Sequence, residues 1–317
     1  MQVEARRSPG AGGSGAGGET NGDGNGDYVI SPPYAAAPEV VANDQVPQGT
    51  VAEFTMSSAD SAIYPTDVAT GGPFTRGASV YVPAQYVPGT AAPFMVVQDG
   101  ITFYQSTMVP ALDNLIAAGA LPAMIVIFVE PGPNGGETEG ERSYEYDSVS
   151  ETYLNFVESE LLPKVEQDYG VTLTTDPDGR AAMGGSSGGA AAFTMGWFRP
   201  DKYRRILTYS GSFCDLQPNA MYTNGAWADH ESLLASSPAK PLRVALAASE
   251  NDLDLNTDEN QRRNWVAANR AMATALAAKG YPYRYVYAEG ADHVDFGVLQ
   301  QTLPATLRWL WQGYPIR

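Results

Sequence analysis

The pattern of hydrophobic and polar positions changes character partway along the chain. Thr50 to Met56 partly alternates, and Ala78 to Val82 is a β-branched and aromatic run stopped by Pro83, which predicts short strands and turns over Pro47 to Tyr86. From Phe94 onward the strand candidates are solid apolar runs: Phe94 to Val97, Met124 to Val129, Arg180 to Met183, Ile206 to Tyr209, Leu242 to Ala248 and Tyr283 to Tyr287. Helix-spaced segments separate them. These are Met108 to Ala118, Val149 to Gln167 with a kink or early end expected at Pro163, Ala190 to Trp197, Trp265 to Ala278 closed by Gly280, and about Leu303 to Trp311. Buried strands alternating with helices predict an α/β fold. Its central sheet is mainly parallel and covered by helices on both faces, with the initial strands as an antiparallel edge.

Composition marks one boundary. Gly10 to Asp27 is almost entirely Gly, Ser, Asn, Asp and Glu, which buries too little surface to offset its ordering entropy. Residues 1–27 therefore read as a disordered tether and 28–317 as one domain. Met1 to Pro9 lacks the apolar region of a secretory leader, but tethers of this kind often follow a removed export signal. The expectation is a secreted or periplasmic protein with its leader absent, and a cytoplasmic one as the alternative. No apolar run is long enough to span a bilayer. The net charge of −17, with no cluster of Lys and Arg, argues against nucleic acid as a partner. Cys214 is the single cysteine, so the chain offers neither an internal disulfide nor a Cys-based metal site.

The candidate chemistry starts at Gly184-Gly185-Ser186-Ser187-Gly188-Gly189, between a predicted strand and a predicted helix. A serine on so tight a strand-to-helix turn needs glycine two residues before and after it, and the following helix N-terminus supplies N–H groups for an oxyanion. Two frames fit. Ser186 is flanked by Gly184 and Gly188, Ser187 by Gly185 and Gly189; Ser186 is preferred because it follows the strand more directly. Ser187 then offers its backbone N–H, and the second oxyanion donor is expected from Asp99 or Gly100, after the strand Phe94 to Val97.

A nucleophilic serine needs an imidazole, and the chain has two histidines. His293 follows the last strand, where the base of an α/β-hydrolase sits, whereas His230 reads as surface. The acid should lie in the loop after Leu242 to Ala248, which carries Glu250, Asp252, Asp254 and Asp258. Asp252 is preferred, because it lies near the strand end while Leu253 and Leu255 can anchor the loop. The chain order Ser186, Asp252, His293 is that of the α/β-hydrolases. A calcium loop over Asp252 to Asn260 fails, since Thr257 stands where an EF-hand has glycine.

Several motifs together resemble one family: the serine run with Phe193 downstream, Gln98-Asp99-Gly100, Arg142-Ser143-x-Glu145-Tyr146-Asp147, Glu160-Leu161-Leu162-Pro163, Ser210-Gly211-Ser212-Phe213 and Leu307-Arg308-Trp309-Leu310-Trp311. This combination is similar to the esterases related to enterochelin (ferric-siderophore) esterase, over about Pro47 to the C-terminus. The resemblance implies Ser186 as nucleophile, Asp252 as acid and His293 as base. It also implies a substrate-side role for Arg142 and Glu145, whose alternative reading is a surface salt bridge. The chain departs from the family in lacking the large N-terminal domain of true enterochelin esterases, and in reading Ala291-Asp292-His293-Val294-Asp295 where many relatives have Gly before the histidine and Ser after it.

The function expected is a serine carboxylic ester hydrolase working through an acyl-enzyme, without cofactor or metal, on a small-molecule or glycan-linked ester. The alternatives are an acyltransferase of the same fold and a non-catalytic carbohydrate- or ligand-binding module.

Overall fold

The computed structural model describes residues 24–133, 139–255 and 262–316. Its strands are β1 (Gly26–Ile30), β2 (Thr50–Ser57), β3 (Thr75–Val82), β4 (Ala91–Ala92), β5 (Phe94–Gln98), β6 (Ile125–Val129), β7 (Thr172–Leu173), β8 (Arg180–Gly185), β9 (Arg205–Tyr209), β10 (Arg243–Asn251) and β11 (Tyr283–Asp292). Its α-helices are α1 (Gln105–Ala117), α2 (Glu141–Tyr146), α3 (Thr152–Phe156), α4 (Leu162–Tyr169), α5 (Ser187–Phe198), α6 (Leu234–Ser236), α7 (Trp265–Ala278) and α8 (Phe296–Leu310).

Nine strands form one sheet in the order β1-β11-β10-β9-β8-β5-β6-β3-β2. From β1 to β6 in that order every neighbour is parallel, and β3 on β6 and β2 on β3 are antiparallel, as the N-terminal strand pattern predicts. Alternate residues of each central strand face opposite cores, which is why these strands are apolar throughout. Phe94, Val96, Ile125 and Ile127 pack with Leu154, Phe193 and Trp265 on one face. Met95, Val97, Val126 and Phe128 pack with Met108, Leu112, Leu303 and Leu307 on the other. The chain leaves β5 toward β6 and later returns to β8 on the opposite side. The loops after β5 and β8 therefore flank a topological switch point, where open parallel sheets bind ligands.

Three boundaries differ from the sequence reading. Gly26 and Asp27, expected to end the tether, belong to β1, which pairs with β11 through Gly26–Arg284 to Ile30–Ala288. Asn25 is also engaged, accepting from Trp309 Nε1 at 3.2 Å. Residues 1–23, the rest of that segment, lie outside the described residues. Pro163 does not end its helix early: a π-turn over Val157–Leu161 joins α3 to α4, and Pro163 is the second residue of α4. Finally, α8 starts at Phe296, well before Leu303, because the Asp295 side chain caps it by accepting from Val298 N–H at 3.0 Å.

Candidate active site

The sequence-predicted nucleophile occupies a strained turn. Ser186 lies between β8 and α5 with φ 53° and ψ −128°, a conformation that L-residues rarely adopt. The neighbouring structure holds it there: Ser186 N–H donates to Tyr209 O at 2.9 Å, and Ser186 O accepts from Gly189 N–H at 3.0 Å and Ser212 N–H at 2.9 Å. The glycine spacing has a direct steric cause. A Cβ on Gly184 would stand 2.3 Å from the Gly188 carbonyl, so strand and helix meet backbone to backbone. Ser186 keeps partial exposure, whereas Ser187 is a buried first residue of α5.

The predicted base and acid also sit at the carboxyl end of the sheet. His293 follows β11 and Asp252 follows β10; His293 Nδ1 lies 2.5 Å from Asp252 Oδ1. A carboxylate only accepts, so Nδ1 carries the proton and Nε2 is left free to accept one. The Asp252 side chain is fully buried, and its Oδ1 is further fixed by Leu253 N–H at 2.8 Å. The competing acids are occupied otherwise: Glu250 accepts from Gly290 N–H at 2.7 Å, and Asp254 pairs with Arg263 at 3.5 Å. Asp258 lies outside the described residues.

Ser186 and His293 come from adjacent loops. The Val294 N–H donates to Ser210 Oγ at 3.2 Å, and a Cβ on Gly185 would meet Val294 Cγ1 at 3.1 Å. No hydrogen bond joins Ser186 to His293 among the described residues. Ser186 Oγ instead lies 3.3 Å from Ser212 Oγ, which accepts from Trp265 Nε1 at 3.1 Å. The Trp265 ring also stands edge-to-face on the His293 imidazole, 6.1 Å between centroids.

The loop after β5 faces the first turn of α5. Asp99 adopts φ 53°, and a Cβ on Gly188 would approach Asp99 Oδ2 to 2.9 Å. Gly100 has no room for a side chain, since its Cβ would lie 2.6 Å from that of Phe128. Farther along, Glu130 takes the Ile101 and Thr102 N–H groups at 2.8 and 3.0 Å.

Arg142 and Glu145 do not form a surface pair with each other. Arg142 grips Asp99 with two bonds, Nε to Oδ1 at 2.9 Å and Nη2 to Oδ2 at 2.8 Å. Glu145 turns inward and receives both nitrogens of Arg76 at 2.6 and 2.7 Å, with 2% and 0% of the two side chains exposed. Although only three positions apart on α2, which packs against α5 and α3, the two turn to partners from different parts of the fold: Asp99 after β5 and Arg76 on β3. Beyond them, Asp147 is buried and accepts from Ser143 Oγ at 2.6 Å; burial pushes its carboxyl up to about 7 against that bond and the nearby Arg142. His230 is not a surface residue either. It packs on Trp227 with 4.5 Å between centroids, its Nε2 is 3.1 Å from Phe213 O, and burial pulls it down to about 4.

Sequence reasoning assigned no role to Ser212, Trp265 or Arg76. Ser212 was visible as part of Ser210-Gly211-Ser212-Phe213, but only the fold brings that loop beside the nucleophile. Among the described residues no group of His, Cys, Asp and Glu is placed to hold a metal ion, and no helix is long and apolar enough to cross a membrane.

Residues 74–310 match the family model described as "Putative esterase". The chain belongs to this family. Within the esterase family, it is 27% identical over 237 residues to the iron(III) enterobactin esterase of Dickeya dadantii (strain 3937), an alignment covering 70% of this chain and 48% of that protein. The chain thus spans about half the length of the curated relative that it matches. Among solved structures, the enterobactin esterase of Shigella flexneri superimposes with a TM-score of 0.60 at 19% identity, over 84% of this chain and 61% of that one. The CE1 ferulic acid esterase of the anaerobic fungus Anaeromyces mucronatus gives a TM-score of 0.61 at 14% identity, over 87% of this chain and 96% of its own. These neighbours share the α/β-hydrolase fold.

Proposed function

We propose that the chain is a serine carboxylic ester hydrolase in which Ser186 is the nucleophile, His293 the base and Asp252 the acid that orients it. The observation that carries this reading is the Ser186 elbow beside an imidazole whose tautomer is fixed by a buried carboxylate. His293 Nε2 takes the Ser186 proton as Oγ adds to the ester carbonyl. The oxyanion is received by the Ser187 N–H and by an N–H of Asp99 or Gly100. As the tetrahedral centre collapses, the alcohol leaves with the proton held on His293. Water then attacks the acyl-enzyme, again through His293, and the acid departs. The Ser186 hydroxyl turns to His293 Nε2 as the ester binds, since catalytic hydrogen bonds tighten in the substrate complex.

Arg142 enters this scheme through Asp99, whose loop it ties down, rather than through the substrate. Relatives named for enterobactin and ferulic acid support a small-molecule ester as the substrate class. The test is hydrolysis of p-nitrophenyl acetate by the purified chain. Ser186→Ala and His293→Ala should each lose about 10⁴-fold or more in rate, and His230→Ala should not. Full turnover by either of the first two variants removes the assignment.

A further inference from the structure

Ser212 has two hydrogen-bond partners among the described residues, and their chemistry fixes which way its proton points. Trp265 Nε1 is a donor only, so Ser212 Oγ must accept from it at 3.1 Å. The Ser212 side chain is fully buried, and its other side-chain hydrogen-bond partner among the described residues is Ser186 Oγ at 3.3 Å. A buried hydroxyl proton left unbonded is costly, so the proton goes to Ser186 Oγ.

We propose that Ser212, aimed by Trp265, is a hydrogen-bond donor to the nucleophile. The inference rests on the reading of Ser186 given above. Its consequence is twofold. With a donor already on its oxygen, Ser186 directs its own proton away from Ser212, toward His293. As the Ser186 proton leaves, negative charge builds on Oγ, and a bond that is long in the resting state shortens and strengthens. Trp265 serves as a positioning residue: it fixes the Ser212 hydroxyl through Nε1 and supports the His293 ring with its edge. The Ser212 N–H bond to Ser186 O, at 2.9 Å, keeps the two residues in register and survives any change of side chain.

The experiment measures the second-order rate of labelling by a fluorophosphonate, and kcat and KM for p-nitrophenyl acetate, on the whole chain. Ser212→Ala should label at Ser186 still, about 10- to 100-fold more slowly, with kcat falling in step and KM little changed. Trp265→Phe should slow labelling in the same direction and should add almost nothing when Ser212 is already alanine. Labelling of folded Ser212→Ala at the normal rate overturns the inference alone, as do two losses that multiply in the double variant. If Ser212→Ala does not fold, Trp265→Phe decides the matter, since it keeps the hydroxyl and removes its fixed donor; an unchanged rate there overturns the inference. A wild-type label that maps away from Ser186 overturns the nucleophile assignment and this inference with it.

Discussion

Arg142 holds both carboxylate oxygens of Asp99, at 2.9 and 2.8 Å, and so joins α2 to the loop that faces the first turn of α5. Two parallel bonds fix an orientation as well as a distance. Asp99 itself sits at φ 53°, a conformation that needs support from its surroundings. The Arg142 side chain is 19% exposed, so its main partner is the protein and not solvent.

Arg142→Ala should therefore lower kcat/KM on small and bulky esters alike, by about 10- to 100-fold, the scale for disturbing an oxyanion donor. Steady-state kinetics on p-nitrophenyl acetate beside a bulky acidic ester provide the check. A loss confined to the acidic ester would return Arg142 to a direct substrate role.

Glu145→Ala acts on stability. It leaves the Arg76 guanidinium buried against Phe156, 4.4 Å from the ring centroid, with its carboxylate gone. The expected cost is about 3–5 kcal/mol, read as a fall in denaturation midpoint. The ratio of kcat/KM between different esters should not move in whatever fraction remains folded. A change in ester preference at unaltered stability would contradict this placement.

Asp229 makes stability depend on pH. Burial alone pushes its carboxyl up to about 8, and its Oδ2 has no partner among the described residues. The sign follows from linkage: a carboxyl raised above its unfolded value stabilises the folded state fully at low pH, and the contribution is lost as pH rises from about 4 through 8. His230 beside it is held down near 4, so its neutral form is favoured and stability falls as pH drops below its unfolded value of about 6.5. Melting curves of wild type and Asp229→Asn from pH 5 to pH 9 should diverge, with the variant losing less on the alkaline side. Parallel curves would show that Asp229 does not titrate in this window.

The N-terminal boundary can be tested by two truncations. Removing residues 1–23 should leave the melting temperature unchanged, because that segment has almost no large apolar side chains to dock. Removing 1–27 takes away Gly26 and Asp27 from the five residues of β1, Asn25 on Trp309, and the bond that Asp27 accepts from Tyr283 at 3.0 Å, so the melting temperature should fall. Equal melting temperatures would mean that β1 contributes nothing.

Much of this architecture is legible in the chain because buried strands announce themselves as unbroken apolar runs. Ile125–Val129 and Trp265–Ala278 fall almost where the pattern places them. β1 is not legible, since Gly26 and Asp27 look like linker and become strand only through pairing with β11. The elbow could be read because its steric requirement is local, glycine against glycine. Asp252 could be preferred from its nearness to a strand end, although its bond to His293 spans separate loops. The partners of Arg142 and Glu145 were not legible, because Asp99 and Arg76 are 43 and 69 residues away and no local pattern in α2 points to them.

The proposed reaction passes through a covalent acyl-enzyme on Ser186. Its most direct test is the mass of the intact protein after reaction with a fluorophosphonate, with the modified residue located by peptide mapping in wild type, Ser186→Ala and Ser187→Ala. One adduct per chain, on Ser186 in the wild type and retained in Ser187→Ala but absent from Ser186→Ala, is the predicted result. An adduct on Ser187 or elsewhere, or a Ser186→Ala protein that still labels, would contradict it.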